Sequence, residues 1–137
     1  MLFRSIRAII FTASLVACAS AEPKFNIRDD ARPSYSDTIA ADQIDAFVAD
    51  GGVLLDVRLA EDFHLDPRLI PGALRVDPET GAHWQTLDKG TPIAVYCVKG
   101  KWVSQKVAHH ISGLGIETYS LAGGLVAYDA MAEAREE

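Results

Sequence analysis

The stretch that decides the fold reads Ile93-Ala-Val-Tyr-Cys-Val-Lys-Gly-Lys-Trp102. Its first four residues are apolar and follow a proline, a pattern typical of a buried strand. The next segment, residues 102–112, places apolar side chains on one face of a helix that ends at Gly113. Cys97 therefore lies in a glycine-containing loop between a strand and a helix.

Strand-like and helix-like segments alternate on both sides of this stretch. Strand patterns cover residues 53–57, 73–76 and 116–121, and helical patterns cover residues 40–50, with Asp42 as N-cap, and 125–133. This order predicts an α/β fold with a central parallel sheet and helices on both faces. Sites in such sheets lie at the carboxyl ends of strands, which is where Cys97 stands.

The first 21 residues have the pattern of an export signal. Arg4 and Arg7 precede an uncharged apolar run, and small residues follow it. The run is about ten residues long, too short for a transmembrane helix, which needs about 20. Two processing sites stay open: Leu15-Val-Ala-Cys18 resembles a bacterial lipobox, which would lipidate Cys18, and Ala19-Ser-Ala21 fits ordinary cleavage. We expect a periplasmic protein, and with the favoured lipobox one anchored to the outer membrane.

Cys97 is then the odd cysteine of an exported chain, because Cys18 is unavailable for an intramolecular disulfide under either processing. Such a cysteine is a free reactive thiol, half of an intermolecular bridge, or an inert core residue. The loop favours reactivity: we expect amides around Gly100 and the following helix N-terminus to face the sulfur and favour its anion. Lys99 and Lys101 add positive charge that would attract a small anion. Ser104 is a candidate helix cap or a direct participant in catalysis.

Length and charge limit the remaining possibilities. The 137 residues contain 13 lysines and arginines against 19 aspartates and glutamates, a net charge of −6. This balance excludes a nucleic-acid partner, which requires a basic patch, and limits membrane attachment to a lipid anchor. Residues 22–39 contain Pro23 and Pro33 without sustained periodicity, which predicts a linker. Residues 40–135 are long enough for one compact domain.

Five short motifs of that domain occur in the order found in single-domain rhodanese-like sulfurtransferases, which the sequence resembles. They are Leu54-Leu-Asp-Val-Arg58, Asp62-Phe63, Ile70-Pro-Gly-Ala73, Tyr96-Cys97 with Gly100, and Leu121-Ala-Gly-Gly124 with Tyr128. The resemblance implies a rhodanese-like domain over residues 40–135. It also implies a Cys97 persulfide that takes sulfur from a small anionic donor such as thiosulfate and passes it to a thiol or protein acceptor, without metal or cofactor.

The resemblance assigns roles to further residues. Those of the loop, Val98, Lys99, Gly100, Lys101, Trp102, Val103 and Ser104, would bind substrate. Asp56 and Arg58 would support the site, although the spacing of Arg58 and Asp62 also fits a structural i,i+4 ion pair. A sulfur carrier or binding module without turnover is the alternative function.

The loop also departs from the family. Trp102 and Val103 stand where the family has arginine and then serine or threonine, with Ser104 one place later, and Leu69 replaces the usual histidine before the Ile-Pro-Gly-Ala turn. Trp102 would either wall the pocket or pack on the sheet.

The sequence lacks the residues that other cysteine chemistries and a zinc site would require. Cysteine phosphatases and arsenate reductases need a loop arginine, and thioredoxin-type exchange needs a second cysteine. The four histidines lack zinc-site spacing.

Overall fold

A computed structural model of the chain describes residues 25–80 and 84–136. Within these residues the strands are β1 (Thr38–Ile39), β2 (Val53–Asp56), β3 (Leu74–Arg75), β4 (Ile93–Tyr96) and β5 (Thr118–Leu121). The α-helices are α1 (Ile44–Ala49), α2 (Ala60–Leu65), α3 (Trp102–Gly113) and α4 (Gly124–Arg135), and short 3-10 helices cover Ala41–Gln43 and Trp84–Thr86. None of these helices combines the length and the apolar character that crossing a bilayer requires. The predicted export signal, including Cys18, lies outside the described residues.

The strands form one sheet in the order β1-β5-β4-β2-β3, and every neighbouring pair is parallel. Side chains alternate along each strand, so the two faces of the sheet carry separate cores. Leu55 and Val95 pack on the α3 side, whereas Leu54 and Ala94 pack on the side of α1 and α4. The predicted α/β architecture, with helices on both faces of a parallel sheet, is confirmed.

The central strand positions the candidate site. All four residues of β4 are buried, because the strand lies between β5 and β2 and is covered on both faces. Its carboxyl end leads directly into Cys97, whose side chain points to the α3 side. The cysteine is therefore fixed by the most enclosed element of the sheet.

The segment before the sheet corrects one expectation. Residues 25–39 are not a loose linker: Ile27 is 1% exposed within the α3-side core, and Phe25 packs edge-on against Trp84, with 5.9 Å between ring centroids. Lys106 of α3 pairs with Asp29, and β1 adds a parallel strand beside β5. These apolar side chains follow no regular period, so the sequence pattern did not indicate that they are buried.

Several elements also differ from their predicted boundaries. The helix expected over residues 40–50 begins as a 3-10 turn with Ala40 at its N-cap, and Asp42 does not cap it. The amide of this N-cap residue is bound by the turn itself, since Gln43 Oε1 accepts a 3.4 Å hydrogen bond from Ala40 N–H. The short helix α2 and strand β1 were not predicted.

Candidate active site

Cys97 forms part of a small pocket at the carboxyl edge of the sheet. The cysteine is 6% exposed, so it is neither a surface thiol nor completely enclosed. A pocket of about 150 Å³ adjoins it, lined by Asp62, Cys97, Val98, Lys99, Lys101, Trp102 and Val103. Five of the seven predicted loop residues thus line one pocket with Cys97, and the other two, Gly100 and Ser104, are not among its lining residues.

Gly100 holds the loop against the start of α4. Its φ is +68°, and a Cβ placed there would stand 2.7 Å from the Leu121 carbonyl oxygen and 2.8 Å from the Gly123 nitrogen. Gly124 of α4 also leaves no room for a side chain, since a Cβ placed on it would lie 2.5 Å from the Cys97 carbonyl oxygen of the loop. The glycine of the loop and the glycine pair before α4 are therefore one packing unit.

The first amides of α4 secure this contact. Leu125 N–H donates to the Cys97 carbonyl at 2.9 Å, and Val126 N–H donates to the Val98 carbonyl at 3.1 Å. These donors would otherwise lack an intrahelical partner at the helix start. Because they bind the carbonyls of Cys97 and Val98, they fix the loop backbone directly after the cysteine.

A serine hydroxyl is the polar neighbour of the sulfur. Cys97 Sγ donates to Ser104 Oγ at 3.2 Å, and the Ser120 hydroxyl donates to the same oxygen at 3.1 Å. Ser104 does not cap α3, because the helix begins at Trp102 with Lys101 at its N-cap, and Ser104 faces inward from the first turn. We expected loop amides to face the sulfur, but among the described contacts its hydrogen-bond partner is this hydroxyl.

Charge at the pocket is mixed. Lys99 and Lys101 are exposed and line the pocket beside the cysteine, where an incoming anion would meet both. Asp62 of α2 lines the same pocket and adds one negative charge. The two lysines outnumber the carboxylate, so the lining carries a positive balance on an otherwise acidic chain.

Trp102 both walls the pocket and packs on the core. It is half-buried against the α3-side cluster and lines the pocket of Cys97. The guanidinium carbon of Arg32 lies 4.1 Å from its ring centroid, a cation–π arrangement. Sequence reasoning missed Arg32, because only the packing of residues 25–39 brings that arginine to the loop.

Asp56 and Arg58 form a buried pair beside the site and correct the expected Arg58–Asp62 bridge. Arg58 Nη2 donates to Asp56 Oδ2 at 2.6 Å, and both side chains are almost completely buried. Arg58 precedes α2, so helical spacing does not bring Asp62 to it. Burial opposes the charge of Arg58, but the hydrogen bonds and charge of Asp56 outweigh it and raise the pKa of Arg58.

The remaining donors of Arg58 bind main-chain carbonyls. Its Nη1 and Nη2 donate to the carbonyls of Asp66 and Arg68 at 2.7 and 2.9 Å, which ties the end of β2 to the loop after α2. Nearby, Ile70 N–H donates to Tyr96 Oη at 3.2 Å, and burial raises the pKa of that phenol. Arg58 and the Ile-Pro-Gly-Ala turn therefore brace the sheet edge and do not face the pocket of Cys97.

An all-parallel α/β sheet with a pocketed thiol after its central strand defines the class of protein. A family model described as a rhodanese-like domain matches residues 40–131, more than half of the sequence. The chain belongs to the rhodanese-like domain family. Comparison with curated proteins found no match.

Solved structures share this fold. A rhodanese homologue from the extremely thermophilic bacterium Thermus thermophilus is 28% identical, with a TM-score of 0.52 over 67% of this chain and 100% of that chain. The reduced CoADR-RHD protein of Bacillus anthracis is 24% identical, with a TM-score of 0.60 over 72% of this chain and 17% of its own. A thiosulfate sulfurtransferase from Pseudomonas aeruginosa is 22% identical, with a TM-score of 0.59 over 74% of this chain and 19% of its own. The chain thus spans less than a fifth of the last two proteins.

Proposed function

We propose that this protein is a sulfurtransferase that carries sulfane sulfur as a persulfide on Cys97. The observation that carries the proposal is the position of this thiol, after the central strand of a rhodanese-like domain and in a small pocket lined by two lysines. A pocket of about 150 Å³ fits a small inorganic anion. The similar protein from Pseudomonas aeruginosa is a thiosulfate sulfurtransferase, and thiosulfate is the donor we assign here.

The proposed reaction has two balanced steps. The Cys97 thiolate attacks the outer sulfur of thiosulfate, a new S–S bond forms, and sulfite leaves with the electron pair of the broken S–S bond. The acceptor then attacks the outer sulfur of the persulfide, and the Cys97 thiolate leaves. With cyanide as acceptor the product is thiocyanate, and the protein returns to its starting state without net oxidation or reduction.

The arginine geometry favours this chemistry over phosphoryl transfer. Gripping a tetrahedral oxyanion in two places requires a free guanidinium near the loop. The donors of Arg58 are engaged by Asp56 and by carbonyls. Arg32 stacks on Trp102 outside the lining of the Cys97 pocket, and its Nη1 donates to the carbonyls of Asp29 and Ala31. Lysines line the pocket instead, and they bind anions as point charges.

Export belongs to the same proposal. The sequence pattern of residues 1–21 supports delivery to the periplasm, and the lipobox reading adds a lipid on Cys18 that anchors the protein to the outer membrane. The mass of the protein isolated from its native membrane or periplasmic fraction distinguishes lipidation at Cys18 from cleavage after Ala21.

Intact-mass measurement tests the sulfur chemistry. We expect the purified protein to gain one sulfur atom after incubation with thiosulfate and to lose it to cyanide as thiocyanate. The Cys97→Ser variant should do neither. A wild-type protein that is readily alkylated at Cys97 but takes no sulfur from thiosulfate would overturn the proposed turnover and favour a carrier supplied by a docked partner.

A further inference from the structure

Three buried side chains, from β5, from α3 and from the loop after β4, form a continuous hydrogen-bonded chain. Ser120 of β5 donates to Ser104 of α3 at 3.1 Å, and Ser104 Oγ lies 3.2 Å from Cys97 Sγ after β4. Ser120 and Ser104 are 1% and 0% exposed, so bulk water does not compete for these contacts. A buried hydroxyl without a partner is costly, which makes the direction of each hydrogen bond in the chain consequential.

The direction of these bonds depends on the state of the sulfur. With a neutral thiol, Ser104 Oγ accepts from both Cys97 and Ser120, and the described contacts give its own hydrogen no acceptor. With a thiolate, that hydrogen turns to the sulfur while Ser120 continues to donate to Ser104. Each hydroxyl then donates one hydrogen bond toward the anion, and a hydrogen bond to a charged group is the stronger kind.

We propose that Ser120 is a positioning residue that orients the Ser104 hydroxyl toward Cys97, so that the two serines together stabilise the anionic sulfur. The proposal rests on the proposed function, because the inner sulfur of a Cys97 persulfide occupies the same position and is expelled as a thiolate when the acceptor attacks. Ser120 does not touch the reacting atoms. It holds its neighbour in the one hydrogen-bonding direction that favours the anion.

The same strand supplies a matched control. Thr118 is buried two residues earlier on β5, but its hydroxyl donates to the Ile116 carbonyl at 2.8 Å and not to the hydroxyl of Ser104. Thr118→Val therefore removes a buried hydroxyl from β5 and leaves the chain to Cys97 intact. It separates an effect on the sulfur from a general loss of polar contacts in the strand.

The test is the pH dependence of Cys97 alkylation by iodoacetamide, an uncharged probe. Other charged groups around the pocket are Lys99 and Lys101 of the loop and Asp62 of α2, and all three stay unchanged in every variant. We expect Ser120→Ala to move the midpoint of the pH–rate profile upward by about half a unit, the effect of one indirect hydrogen bond. Ser104→Ala should move it at least as far, and the double variant no further than Ser104→Ala alone. Ser120→Thr, which keeps the donor, should restore the wild-type midpoint.

Three results would overturn the proposal: an unchanged midpoint in Ser120→Ala, an equal shift in Thr118→Val, or additive shifts in the double variant. Circular dichroism establishes that each variant is folded. If the alanine variant unfolds, the alkylation midpoint can still be measured in Ser120→Thr. Alkylation uses no thiosulfate. If the midpoint shifts are as expected but the protein does not load sulfur, the proposed function alone is contradicted. If the protein loads sulfur normally but the shifts are absent, the role of Ser120 alone is contradicted.

Discussion

Replacing Gly100 by alanine tests whether the loop is built by its contact with α4. A left-handed backbone costs an alanine about 1–2 kcal/mol. The added Cβ would also stand 2.7 to 2.9 Å from three main-chain atoms of residues 121–124, which cannot rotate away. Overpacking of this kind costs about 1–3 kcal/mol, for a total of about 2–5 kcal/mol. One kcal/mol shifts the melting temperature of a domain of this size by about 4–8 °C, so a loss of roughly 10 °C or more is expected.

Gly115 provides the control for this variant. Its φ is +87°, but a Cβ there would meet nothing within 4 Å, so Gly115→Ala carries the backbone strain without the collision. Thermal unfolding followed by circular dichroism compares the two variants, and thiosulfate loading follows the site. We expect Gly100→Ala to melt lower and to load sulfur more slowly. Equal melting temperatures for both variants would refute the argument from close packing.

Three further predictions concern charge. Arg58→Ala should lower the free energy of unfolding by about 3–5 kcal/mol in a urea titration, since it leaves Asp56 buried without its partner, while Arg68→Ala in an exposed pair should cost no more than about 1 kcal/mol. Replacing Lys99 and Lys101 by alanine should raise the KM for thiosulfate and weaken its dependence on ionic strength; an unchanged salt dependence would contradict the anion role. The hydrogen bond from Lys106 lowers the pKa of Asp29 below its ordinary 3.8. The difference in free energy of unfolding between wild type and Asp29→Asn should therefore be present near neutral pH and shrink as the pH falls below about 4.

The parts of the fold that the sequence predicted are those with a strong local pattern. The run before Cys97 is apolar throughout because β4 is covered on both faces, and the helix after it carries its apolar side chains on one face. Both elements were located within a residue or two. Gly100, Gly123 and Gly124 stood out in the sequence as parts of the loop and of the motif before the last helix, but the close approach of their two backbones required the structure.

The parts that sequence reasoning missed depend on how the chain packs in three dimensions. Arg58 was assigned to Asp62 by helical spacing, but its partner two residues away lies at the end of a strand. Arg32 and Ile27 belong to a segment without periodicity that gains its structure only by packing on α3 and the sheet. Ser120 gave no signal, because a serine on a strand reveals neither its burial nor the hydroxyl of α3 that it faces.

The pairing of loop carbonyls with the first amides of α4 has a consequence for biosynthesis. The strand before Cys97 and the helix after it are complete by residue 113, yet the loop between them is held by Leu125 and Val126. A growing chain therefore contains its nucleophile well before it contains the two residues whose amides hold the loop. Truncation before Leu125 should leave the thiol in a loop that lacks these two hydrogen bonds, and sulfur uptake would report that translation has passed Val126.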